Sequence, residues 1–282
     1  MDLRSVLLVT GGSACSFKLL NTLFRFLPTP APARKKAWKW RNISTSLAHS
    51  TLTGAWAVLW CVETQQHAVG PVVYSRVIVR SSLSHVVRLW LCSFSLRPQM
   101  VADLISSHSV LSHSLVAVST GYFIHDFLDL ASNQSVKQSW EVLLHHSVVI
   151  SCFGLAVTSR LYLGFAVVSL LVEINSVFLH IRQLLLLSGQ RNRPGGGVTA
   201  PRPTVTYTTN CWLNLGTFLV FRACTLGWMG RWLAGQTEHM PRHVLMMGRV
   251  GLSLISVMNV VLFYRLVRAD ILTDTNNTKG RH

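Results

Sequence analysis

Residues 121–146 read GYFIHDFLDLASNQSVKQSWEVLLHH, and the reading of this stretch decides the fold. Apolar residues surround it, yet it holds six ionisable side chains: His125, Asp126, Asp129, Glu141, His145 and His146. The whole chain has ten acidic residues, so three of them here form a concentration. An ionisable group near the centre of a membrane helix costs about 2.5–3.5 kcal/mol on insertion scales. Six such groups therefore call for either mutual pairing or a functional site.

Composition supplies the membrane setting. Of the 282 residues, 50% are hydrophobic and only 13% charged, against about 25% charged in soluble domains. The net charge of +16 comes from cations concentrated in the connecting segments. That is the pattern of loops facing anionic lipid, and no recognition motif for nucleic acid accompanies it. Nucleic acid is excluded as a partner on that basis. Cys15, Cys61, Cys92, Cys152, Cys211 and Cys224 lie scattered through apolar runs without a CxxC. They read as thiols in helix packing rather than as a disulfide framework or zinc site.

Working outward, apolar segments fall at 3–24, 43–62, 110–130, 141–159, 162–187, 210–233 and 244–267. Each is long enough to approach the ~30 Å hydrocarbon core. The expectation is an all-α polytopic integral membrane helical bundle with six or seven transmembrane helices, six if the first segment is a cleaved leader. Residues 1–33 read as an N-terminal helix with a Pro-rich link, 34–274 as the main domain, and 275–282 as a polar tail. Arg34, Lys35, Lys36, Lys39 and Arg41 interleave with Trp38 and Trp40, which suits a membrane interface. Residues 63–96, whose apolar runs are broken by Arg76, Arg80 and Arg88, read as an atypical insertion. Residues 189–203 form a polar loop rich in Gly and Pro. The Lys/Arg bias puts the 25–41 loop, Lys137, the 182–202 loop and the C-terminal tail in the cytosol, with the N-terminus outside or lumenal. Sequons at Asn42, Asn133 and Asn276 are then cytosolic and bare.

Helical spacing groups the polar residues. Tyr122, His125, Asp126 and Asp129 share one arc, and Glu141 and His145 are four apart beside His146. The link Ala131–Trp140 is short, so these helices are expected to be antiparallel neighbours. Glu173, Ser176 and His180 share another face, next to Asn175. Ser46, His49 and Thr53 form a stripe that must look inward, and Arg222 and Arg249 are expected counter-ions for Asp and Glu. One reading is a hydrogen-bonded and salt-bridged network that holds the bundle together, although each link contributes only about 0.6 kcal/mol on average. Acid/base chemistry on a lipid would use His145, His146, Asp126 and Asp129 as catalytic residues. Tyr122, His125, Glu141, Glu173, Asn175, His180, His49 and Arg222 would then bind lipid or complete the polar network. A lipid-oxidising metal site needs a set of HxxxH and HxxHH motifs that the chain does not carry. No GxSxG, P-loop or HExxH occurs, and no metal or cofactor is expected.

The stretches RNISTSLAHS, GYFIHDFLDL, WEVLLHH, LLVEINSVFLHIR and the FR and GWM of 221–229 together resemble the TLC-domain family. The match is closest to its small subgroup linked to membrane fluidity, and it covers about 1–62 and 97–274. Residues 63–96 have no counterpart there. The family includes ceramide synthases, whose site combines a His pair with a later HDxxD-like motif. His145 and His146 match the pair, but the region where the second motif would fall reads Val172-Glu173-Ile174-Asn175-Ser176. His125-Asp126 and Asp129 lie one helix earlier, which leaves sphingoid-base N-acylation unsupported. The resemblance implies a multi-pass protein of the plasma membrane (alternatively the endoplasmic reticulum) whose partners are membrane phospholipids or acyl lipids. It implies a regulator of phospholipid composition that limits incorporation of polyunsaturated chains. The alternatives are a ceramide-synthase-like or phospholipid acyltransferase and a non-catalytic lipid-binding scaffold. Whether the chain is an enzyme stays open at this point; if it is, acyl transfer is the expected reaction.

Overall fold

The computed structural model describes residues 2–69, 104–106, 108–191, 203–238 and 240–272. Among them the chain is helical, with no strand, and forms seven rods. These are α1 (Leu3–Leu23), α2 (Ala37–Val69), α3 (Val110–Asn133), α4 (Val136–Ser159) and α5 (Leu163–Leu187, tightening to a 3-10 turn at Leu170–Val172). Then come α6, built of Val205–Thr217 and Cys224–Gly235 around a π turn at Phe218–Ala223, and α7 (Arg242–Val267), ending in a π turn at Arg268–Leu272. This is the expected all-α membrane bundle. Four rods, α1, α4, α5 and α7, are long and apolar enough to cross a membrane by length and composition. The stripes of Ser46, His49 and Thr53 and of Tyr122 to Asp129 lie on α2 and α3, outside these four, and that of Glu173, Ser176 and His180 lies on α5.

Local chemistry sets the ends. Asp2 caps α1 by accepting from the Ser5 amide, and Ser109 and Ser112 form a reciprocal capping box at the start of α3. Arg160 and Tyr162 take left-handed conformations (φ 59° and 63°), which lets the chain reverse sharply between α4 and α5. One boundary differs from the sequence reading. α2 begins at Ala37 rather than at 43, because prolines stop at Pro32 and nothing from Ala37 onward breaks a helix. At 33 residues it is about 50 Å long, well beyond the bilayer core. Within the suspected insertion 63–96, the backbone to Val69 continues α2, and the rest lies outside the described residues.

Side-chain pairs give the directions. Ser13 donates to the Val118 carbonyl (2.7 Å) and Lys18 reaches Asp129, so α1 and α3 run parallel. His49 meets Tyr122 and Asn42 meets Asp126, so α2 runs antiparallel to α3. The pairs His146–Asp126 and His113–Val157 make α4 antiparallel to α3 as well. Glu141 meets Arg265, and Gly251 sits against Cys152, so α4 and α7 are antiparallel. Alternation brings the connections 24–36, 134–135 and 188–204 and the end of α7 to one face of the bundle, the near face.

α1 is an integral part of this packing. A Cβ on Gly121 would lie 2.7 Å from Ser13 Cβ and 2.9 Å from the Ala14 nitrogen. Only a residue without a side chain lets the two backbones approach so closely. Phe17 of α1 is buried and packs edge-on to both His49 and Tyr122.

Candidate functional site

The polar centre is assembled where α2, α3 and α4 meet. Helical spacing does put Tyr122, His125, Asp126 and Asp129 on the buried side of α3. Asp126 is the hub. Its Oδ1 accepts from Asn42 Nδ2 at 2.6 Å, and its Oδ2 lies 2.9 Å from His146 Nε2, a contact close enough for an ion pair but not aligned as a hydrogen bond. His146 Nδ1 lies 2.8 Å from the Val142 carbonyl, which can only accept, so that nitrogen carries a hydrogen. The His146 imidazole and the Asp126 carboxylate thus face each other, buried between helices.

One turn nearer the face, Asp129 accepts from Trp38 Nε1 at 2.9 Å and, more weakly, from Asn42 at 3.3 Å. Asn133 of its own helix donates to it at 3.3 Å, and the exposed Lys18 ammonium lies 3.8 Å away. The two carboxylates thus share the Asn42 amide, with the His146 ring beside Asp126 and the Lys18 ammonium beside Asp129. Trp38, Asn42 and Lys18 are site residues that the sequence reading did not place in the cluster. For Trp38 and Asn42 the signal is the helical continuity of 37–43, which sets them one turn apart on the face toward α3.

The stripe on α2 looks inward as its spacing requires: Ser46, His49 and Thr53 are buried. His49 stacks flat on Tyr122, with ring centroids 3.6 Å apart and planes at 10°, and neither ring nitrogen has a hydrogen-bond partner. His125 Nε2 and His180 Nδ1 are likewise buried without partners. Ser50, in the same stripe, donates to Glu173 Oε2 of α5 at 2.7 Å.

The adjacent histidines of α4 diverge. His146 turns to Asp126, whereas His145 lines a partly open cavity of about 130 Å³ bounded by α3, α4, α5, α6 and α7. The rest of that wall is almost wholly apolar, with Phe153, Phe165, Leu170, Met229 and Trp232 among its side chains. Glu173, Ser169, Tyr162 and Cys152 are its other polar contributors. The rings of His145 and His146 are 5.5 Å apart, so the His146–Asp126 pair stands next to the histidine that faces the cavity.

Three expected members sit elsewhere. Glu141 is one turn too early on α4 to reach Asp126; it meets Arg265 of α7 in a bidentate pair, both bonds 2.8 Å. Arg222, in the π turn of α6, is not bonded to a carboxylate among the described residues. It donates to Asn175 (2.7 Å), Ser176 (2.7 Å) and Asn259 (2.8 Å), tying together α5, α6 and α7. Asn175 completes that knot by donating to Asn214 and Thr217. Arg249 is exposed and donates to Thr237. The carboxylates sit near the membrane faces or beside small donors, so the mid-span arginines found amide and hydroxyl oxygens closer to hand.

Fold and site define a polytopic α-helical membrane protein with a buried His–Asp centre behind an apolar cavity. The sequence profile of the TLC domain matches residues 39–268, and the chain belongs to the TLC-domain family. It is 45% identical to TLC domain-containing protein 2 of Danio rerio over 96% of this chain and 93% of that one. To TLC domain-containing protein 2 of Homo sapiens it is 37% identical, covering 94% of this chain and 84% of the relative. TLC domain-containing protein 1 of Gallus gallus is 32% identical over 93% of this chain and 87% of its own length. No solved structure matches the chain.

Proposed function

We propose that the protein holds an acyl chain of a membrane lipid in the apolar cavity and thereby regulates phospholipid composition, limiting incorporation of polyunsaturated chains. The observation that carries this reading is the cavity itself. Its wall is apolar, it lies among helices able to cross a membrane, and its few polar contributors include His145 and Glu173. A ligand with a long hydrocarbon part and a polar end fits such a wall, and well-placed polar groups in an apolar pocket fix orientation. The direction of the effect, toward fewer polyunsaturated chains, is supported by the resemblance of the motifs to the membrane-fluidity subgroup. The same resemblance supports the plasma membrane as the site of action, with the basic near face in the cytosol.

The test is phospholipid acyl-chain profiling in cells fed a polyunsaturated fatty acid, with and without the expressed protein. A lower polyunsaturated fraction in the expressing cells is expected. An unchanged profile at confirmed expression overturns the reading.

A further inference from the structure

The seam between α4 and α7 runs from the near face down to the cavity. At depth the two helices touch through Gly251, where an added Cβ would lie 2.9 Å from Val148 Cγ1 and 3.7 Å from Cys152 Sγ. Val148, Cys152 and Gly251 all line the cavity, so the hollow reaches this seam. The opposite flank of α7 exposes Met246, Val250, Val257 and Val260, an apolar surface suited to bilayer lipid. At the near-face end of the same two helices stands the Glu141–Arg265 pair, with side chains 36% and 59% exposed. His145, the polar group of the cavity on α4, is one helical turn deeper than Glu141, about 6 Å along the axis.

These features belong together. Both side chains of the pair keep solvent-accessible surface, so a ligand's charged groups can reach them. A guanidinium matches a phosphate diester, and a carboxylate matches an ammonium. We propose that the Glu141–Arg265 pair is a headgroup site for a zwitterionic phospholipid that docks sideways from the bilayer, phosphate on Arg265 and ammonium on Glu141, with one acyl chain passing along the α4–α7 seam into the cavity. This rests on the acyl-binding reading above and adds to it the lipid class and the route. The spacing sets the glycerol ester region at the level of His145. An anionic headgroup lacking an amine would leave Glu141 facing a phosphate, a repulsive contact that discriminates against it.

The test uses the full chain, stripped of lipid in detergent and followed by native mass spectrometry. It is offered an equal mixture of phosphatidylcholine and phosphatidylglycerol with identical palmitoyl and oleoyl chains, and separately oleate. Wild type should retain phosphatidylcholine over phosphatidylglycerol by about fivefold, the selectivity of one exposed charge contact. Glu141→Lys should abolish or reverse that ratio while oleate binding persists. The double variant Glu141→Arg/Arg265→Glu, which keeps the pair with its ends exchanged, should restore the preference. A ratio near one in wild type overturns the headgroup site. So does a ratio that Glu141→Lys leaves unchanged, or one that the exchanged pair fails to restore although the variant still binds oleate. If wild type binds neither phospholipid nor oleate, the acyl-binding reading fails and the headgroup site falls with it.

Discussion

Replacing Asn42 with alanine puts a number on the buried centre. The Asn42 amide donates to Asp126 at 2.6 Å and to Asp129 at 3.3 Å, and all three residues are buried. Asp129 keeps Trp38, Asn133 and Lys18 when the amide is removed. Asp126 keeps only its contact with His146. A hydrogen bond to a buried charged acceptor contributes roughly 1.5–3 kcal/mol, and the longer second bond adds less. We therefore expect Asn42→Ala to cost about 2–3 kcal/mol, several times the ~0.6 kcal/mol of an average polar link between membrane helices. On the scale of a chain this size that lowers the melting temperature by roughly 5–10 °C. The assay is thermal unfolding in detergent followed by a thiol-reactive dye. Ser44→Ala serves as control, since the Ser44 hydroxyl bonds only to the Trp40 carbonyl of its own helix. A drop in Asn42→Ala of no more than about 2 °C would refute the reasoning, because Asp126 would then be no better served than any interhelical polar group.

Two further predictions follow from the same geometry. His145→Ala/His146→Ala, expressed at the wild-type level in cells fed polyunsaturated fatty acid, should lose the lowering of polyunsaturated phospholipid; equal lowering by wild type and variant would make the histidines purely structural. Asn42 is buried in the bundle and Asn133 sits at the exposed near-face end of α3. Neither should carry a glycan in cells, read as no gel shift on glycosidase treatment. A glycan at Asn133 would place the near face outside the cytosol.

Much of this arrangement was legible in the sequence because period and polarity agree within each helix. The arc of Tyr122, His125, Asp126 and Asp129 follows from spacing alone, and so does the inward stripe of Ser46, His49 and Thr53. The partners of those residues were not legible, since they depend on which helix face meets which. Trp38 and Asn42 lie in a basic, tryptophan-rich run that reads as an interface loop, and only the absence of a helix breaker after Pro32 reveals them as the first turns of α2. Glu141 looked like a member of the cluster because it is four residues from His145. A helix turns through 3.6 residues, however, and the side that looks toward Asp126 is occupied by His146. Arg222 was assigned a carboxylate by charge, whereas the π turn in which it sits presents it to Asn175, Ser176 and Asn259. The adjacent pair His145 and His146 gave no hint that one would face a cavity and the other a carboxylate.

Photoaffinity mapping tests directly whether the cavity holds an acyl chain. The full chain is incubated with a diazirine-bearing fatty acid, irradiated, digested and sequenced by mass spectrometry. Adducts are expected on the lining of α4 and α5, between Val148 and Ala156 or between Phe165 and Val172, and excess oleate should suppress them. Adducts confined to lipid-facing positions such as Leu7, Leu8 or Val260, or adducts that oleate does not compete away, would contradict it.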